Sequence, residues 1–209
     1  MKKLIYCILG IVLILYAMKA QAQDTSRFRK EWQTVDSLLQ TSSQPKTALQ
    51  KVNEIYAEAA RKNIPDQKIK ALLYRLHIEQ TVQDNDINTQ IVSVEKNIAE
   101  TKNSVEISLL QVLEAQLIIS YYNDNRWNIL NRKKTVNYVK QDIAIWSADD
   151  FTKKIHELFT TALSNEALKT TPVKDYNAIV IKGDTNNLRP TLWDLAAHFA
   201  LDYYKSNPT

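Results

Sequence analysis

Glycine is nearly missing from this chain: among 209 residues there are two, Gly10 and Gly183. Two-residue β-hairpins need positive φ, and phosphate-cradling loops need glycine so that backbone amides reach the anion. The scarcity argues against a hairpin-built β fold and against a nucleotide loop. Cysteine occurs once, as Cys7, inside the apolar segment that opens the chain. The rest of the chain therefore offers no disulfide, no thiolate metal site and no cysteine nucleophile. It must be held by its own packing, and it is long enough to bury a substantial core. Proline is sparse too, and Pro45, Pro65, Pro172, Pro190 and Pro208 punctuate the boundaries of periodic segments.

A usable excess of charge is also lacking. The formal net charge is +4, but Lys2, Lys3 and Lys19 lie in that opening segment, which carries no acid. The remainder of the chain is close to neutral and lacks the basic stripe that a nucleic-acid footprint requires. The short run Arg132-Lys133-Lys134 reads as a solvated loop.

What is present begins with MKKLIYCILGIVLILYAMKAQAQ. A basic start, an apolar stretch from Leu4 to Met18 and the small-x-small site Ala20-Gln21-Ala22 describe a secretory signal, residues 1–22. The apolar stretch is shorter than the roughly 20 residues of a spanning helix. Tyr6 stands before Cys7 where a lipidation site wants a small side chain. An exported chain over 23–209, in the periplasm or at the outer-membrane periphery, is expected.

Apolar spacing then predicts helix almost everywhere. Phe28, Trp32, Val35 and Leu39 share a face between about residues 26 and 42. Pro45 and Pro65 sit where first-turn prolines belong and open helices over 45–63 and 65–83. Ile87, Ile91, Val94 and Ile98 mark a fourth helix. Ser104 starts a fifth, apolar enough to lie centrally. The stretch YYNDNRWNILNRKKTVNYVKQDIAIW, interrupted by asparagines, reads as a long ordered connection. Ser147 with Asp150 has the form of a capping box opening a helix to about Lys169. Thr191 with Asp194 caps the last one. The expected fold is all-α, one irregular antiparallel helical array of about seven helices, weakly tetratricopeptide-like in its hairpin lengths.

No constellation of catalytic residues accompanies this pattern. His156 begins HELFTTA, but a zinc-protease helix needs a second histidine one turn on, and that residue is Thr160. Asp194, His198 and Asp202 recur every fourth residue; three ligands on one straight helix do not enclose an ion, and a polar stripe is the simpler reading. His77 has no acid one turn before it. Asp149 and Asp150 suit a helix start. No serine sits in a glycine-flanked elbow. The expectation is a non-enzymatic protein without metal or cofactor. The aromatic residues of the last helix, Trp193, Phe199, Tyr203 and Tyr204, are the candidate partner-binding residues, because that helix is apolar on most faces. Trp127 and Trp146 are expected to pin the asparagine-rich connection against the helices.

YYNDNRWNILNRKKTVNYVKQDIAIW, LRPTLWDLAAHFALDYY and the early EWQTVDSLLQTSSQPKTALQKVNEIYAEAARKN resemble the N-terminal helical region of large secreted alpha-2-macroglobulin-like proteins of Gram-negative bacteria. The resemblance spans residues 23–209 in the same order. It implies a helical leader ahead of β-sandwich domains that trap proteases, with protein as the partner. The thioester Cys and Gln of that family have no counterpart here, so trapping itself is not expected of these residues. With SNPT read as a linker, the segment is expected to be an N-terminal module of a larger chain. The alternative is a free-standing helical-repeat adaptor of the cell envelope that binds a peptide or a helix in a groove.

Overall fold

A computed structural model describes residues 27–83, 86–131, 142–180 and 188–206. The expected signal at 1–22 with Cys7, the Arg132-Lys133-Lys134 run, Gly183 and Pro208 lie outside the described residues. The described residues are all-helical: α1 (27–40), α2 (Pro45–Lys62), α3 (Pro65–Gln83), α4 (Ile87–Glu100), α5 (Ser104–Leu130), α6 (Ala148–Leu163), α7 (Glu166–Thr170) and α8 (Leu192–Ser206). Two short 3₁₀ turns, Ile143–Ile145 and Val173–Tyr176, complete them. None of these helices is long and apolar enough to cross a membrane. The chain divides after Ile78, within α3, into two compact units.

In the first unit α1 runs antiparallel to α2 and parallel to α3. Arg27 at the start of α1 pairs with Glu58 near the end of α2 at 2.7 Å. Trp32 donates from Nε1 to Gln67 Oε1 at 2.8 Å, and one turn on the Tyr74 hydroxyl donates to Asp36 at 3.0 Å. Between them the Trp32 and Tyr74 rings meet at 4.7 Å, with the Lys70 ammonium 4.4 Å from the Trp32 ring centroid. Phe28, Val52, Ile55 and Leu72 are buried beneath, each contributing about 1.5–3 kcal/mol relative to exposure. Asn63 stops α2 in the left-handed conformation at φ 54°, its N–H closing on Ala59 and Ala60 carbonyls; asparagine tolerates this region better than most residues.

Tyr74 also makes this unit alkali-sensitive. Burial, then the hydrogen bond and charge of Asp36, push its phenol up to about 12. An unfolded tyrosine loses its proton near 10. Folded Tyr74 therefore stabilises the unit fully below about pH 10, and that contribution is lost as pH rises through about 12. Tyr74→Phe should remove this part of the alkaline transition and cost about 1 kcal/mol at neutral pH for the lost hydrogen bond. Urea titrations at neutral and alkaline pH check both numbers.

The second unit is built on α5. Asn103 caps it, accepting from the Val105 and Glu106 amides at 3.0 and 3.2 Å. Leu109, Leu110, Val112, Ala115 and Ile118 are buried on adjoining faces, so this helix is central as its composition predicts. It then runs on to Leu130, where the sequence suggested a connection. α6 lies antiparallel to it: Phe151 meets Tyr121 and Tyr122, Lys154 meets Glu114, and Asn165 donates to the Ser104 carbonyl at 2.8 Å. The Ser147–Asp150 capping box opens α6 as expected. The helix stops at Leu163, short of the expected Lys169, because Asn165 turns to cap α7 while its amide reaches Ser104 and Ser108. At the far end, Asn88 fastens α4 to the first 3₁₀ turn. Its side-chain amide donates to Asp142 at 2.9 Å and accepts from the Ile143 N–H at 3.0 Å.

Candidate functional site

The last helix carries the candidate partner-binding residues, and its placement is set by its first turn. Thr191 and Asp194 form the expected reciprocal cap: the Asp194 N–H donates to Thr191 Oγ1 at 3.2 Å, and the Thr191 N–H to Asp194 Oδ2 at 3.0 Å. Just ahead of it the backbone joins the segment after α7. The Leu192 N–H donates to the Thr171 carbonyl at 2.9 Å and the Val173 N–H to Pro190 at 3.0 Å. Trp193 then donates from Nε1 to the Leu163 carbonyl at 3.0 Å, which also satisfies an orphan acceptor at the end of α6.

From that anchor α8 runs back antiparallel along α6. Leu192, Ala196, Ala200 and Tyr203 are buried. They recur at helical spacing on one face, and the two alanines let the backbones approach. Tyr203 packs on Phe159 at 6.1 Å between centroids and hydrogen-bonds Thr152; its burial pushes its phenol up. Tyr203 is 8 % exposed and so supports the helix instead of presenting itself. Of the four candidate partner-binding residues, Tyr203 is thus the one buried within this unit. Trp193 is likewise half-buried and serves as an anchor, with the Lys169 ammonium 5.9 Å from its ring.

A second apolar row lies beside the buried one: Trp193, Ala197, Leu201 and Tyr204, at spacings of four, four and three. Its two ends are held. Trp193 is bonded to Leu163, and the Tyr204 hydroxyl lies 2.8 Å from His156 Nδ1. Between them the row is open at Leu201, 49 % exposed; Tyr204, though held at its hydroxyl, is itself 37 % exposed. Phe199, 38 % exposed, falls on the opposite flank of the buried row by helix geometry. The four predicted residues therefore do not form one patch. Leu201 was missed, although its position four residues from Ala197 and three from Tyr204 carried the signal.

The outward polar stripe holds Asp194, His198 and Asp202. His198 Nε2 lies 3.2 Å from Asp202 and 2.8 Å from Arg189 Nη2, so the imidazole is engaged by side chains on its own side of the helix. Asp194 is committed to the cap. Among the described residues no group of three His, Cys, Asp or Glu is arranged to hold a metal ion.

No protein-family model, curated protein or solved structure matched this chain.

Elsewhere in the second unit Trp127 is 80 % exposed and Leu130 57 %, three residues apart on the end of α5. The indole was expected to pin the connection. It points to solvent because it falls on the outward face of α5, roughly opposite Ile129, which is buried.

Proposed function

We propose that this chain is a non-catalytic, exported interaction module that positions the domains following it in an alpha-2-macroglobulin-like protease inhibitor. The observation that carries the reading is the open centre of the second apolar row on α8. A helix held at both ends by hydrogen bonds, with Leu201 exposed between them, offers a rigid apolar strip at little entropic cost to whatever docks there. The sequence resemblance supplies the partner: macroglobulin-like β-sandwich domains of the same polypeptide.

In the native protein, a photo-crosslinking residue at Leu201 should join α8 to a following domain within one chain, while the same residue at exposed Glu100 should not. Leu201→Asp should abolish that cross-link and shift the stability of the helical module by less than about 0.5 kcal/mol, as expected for an exposed site. Equal cross-linking from both positions would sink the docking role of α8.

A second reading, a free-standing envelope adaptor, is favoured by Trp127 and Leu130. An exposed indole beside an exposed leucine is the kind of anchor that fills a pocket in a partner. Trp127→Ala would then weaken partner binding where Leu201→Asp would not.

A further inference from the structure

Glu114 sits in the middle of α5 at 2 % exposure, where a carboxylate is strongly disfavoured unless paired. Its Oε1 lies 2.7 Å from Lys154 Nζ on α6 and makes no hydrogen bond besides this ion pair. The same ammonium lies 3.5 Å from Glu95 Oε1 on α4. One cation thus serves two carboxylates that also interact with each other, and the node is short of one positive charge. Glu95 at 49 % and Lys154 at 31 % side-chain exposure reach water, whereas Glu114 does not.

The other charges on the helices packed around this node pair among themselves, cap a helix or lie in solvent. On α7, Glu166 and Lys169 pair with one another. On α8, Asp194 caps its own helix, His198 and Asp202 pair, and Lys205 is exposed. On α6, Lys153 pairs with Glu157, and His156 faces Tyr204. On α4, Lys96 pairs with Glu100.

We infer that Glu95, Glu114 and Lys154 form a proton-binding latch: on mild acidification a proton enters the node at Glu114 and draws α4, α5 and α6 more firmly together. Burial holds the Glu114 carboxyl above the ordinary range in spite of Lys154. Lys154 is pulled down by its own burial, but Glu114 and Glu95 more than restore it, so the ammonium stays charged throughout. A carboxyl held higher in the folded than in the unfolded state adds stability that is fully present below the unfolded value. That stability is lost as pH rises through the folded value. The second unit should therefore be tighter in mild acid than at neutral pH, opposite to the usual salt-bridged carboxylate.

Glu114→Gln imitates the protonated state and leaves Lys154 with Glu95 and water. Urea unfolding of the full chain, followed on fluorine-labelled Trp146 in the second unit, should be run from about pH 8 to about pH 4, a range spanning ordinary carboxyl titration. The variant's midpoint should lie above the parent's at the alkaline end, with the gap closing on acidification as the parent takes up its proton. A gap that is constant with pH, or a variant less stable than its parent at neutral pH or unable to fold, overturns the latch. The Glu114 carboxyl carbon resonance in the parent chain gives an independent reading. A titration midpoint above the ordinary glutamate range supports the latch, and one within or below that range overturns it.

Discussion

Replacing Lys154 with methionine should destabilise the second unit by about 3 kcal/mol at neutral pH, and most of that loss should vanish in mild acid. Methionine keeps the packing of the aliphatic stem and removes the ammonium. Glu114 is then a carboxylate at 2 % exposure with no cation beside it, the costly half of a broken buried pair. The lower end of the usual range of about 3–5 kcal/mol applies because Lys154 itself is partly in water. Without the ammonium the Glu114 carboxyl rises further, so the destabilisation is present above its folded pKa and fades as pH falls through it. Adding Glu114→Gln to Lys154→Met should restore most of the stability at neutral pH. Urea midpoints of the two single variants and the double variant, at neutral and mildly acidic pH, measure the coupling directly. Equal losses at both pH values would show that the methionine change acts through packing alone.

The second large effect is expected at Phe151. Its ring is 1 % exposed and stands 6.0 Å from Tyr121, 5.3 Å from Tyr122 and 5.3 Å from Trp146, the last edge-on. It joins the first turn of α6 to the far half of α5 and to the residue closing the 3₁₀ turn. Phe151→Ala should cost about 3–5 kcal/mol through lost transfer energy and the cavity left behind. Because three aromatic neighbours frame that cavity, collapse is restricted and the upper half of the range applies. Amide exchange should accelerate in α6 and in the outer turns of α5. Trp127, on the same helix but exposed, is the internal contrast. Trp127→Ala should stay within about 0.5 kcal/mol of the parent.

Much of this fold was legible because its signals are local. Ser147 with Asp150 and Thr191 with Asp194 are caps whose two halves lie three residues apart, and both form as read. Pro45 and Pro65 open helices because their missing N–H groups fall where no partner is needed. The misreadings arise where distant residues decide. Asn123, Asn125 and Asn128 argued for a connection, yet α5 continues: Asn125 turns its amide back to the Tyr121 carbonyl at 3.0 Å, and the aromatic cluster around Phe151 holds that stretch in place. The break between α6 and α7 depends on Asn165 reaching Ser104, some sixty positions away in sequence. The Glu114–Lys154 pair likewise crosses between helices, and spacing along one helix is silent about it.

The candidate surface was half legible for a related reason. A helix apolar on most faces does not announce which face is covered. Phase along the helix did hold the answer for Tyr203, which falls in register with Leu192, Ala196 and Ala200. Its neighbour Tyr204 falls in the next row with Leu201. Counting aromatic residues selected both tyrosines, whereas counting phase separates the buried one from the exposed one.

Whether the helical module belongs to, and positions, a larger exported inhibitor chain is tested most directly by the size of the native polypeptide. An antibody raised against residues 27–206 should be used to size that polypeptide in fractionated cell envelopes on a denaturing gel. A band far above the 24.1 kDa of this chain is expected. A single band at or just below that mass would contradict the inhibitor reading and leave the free-standing adaptor, with Trp127 as its anchor, in its place.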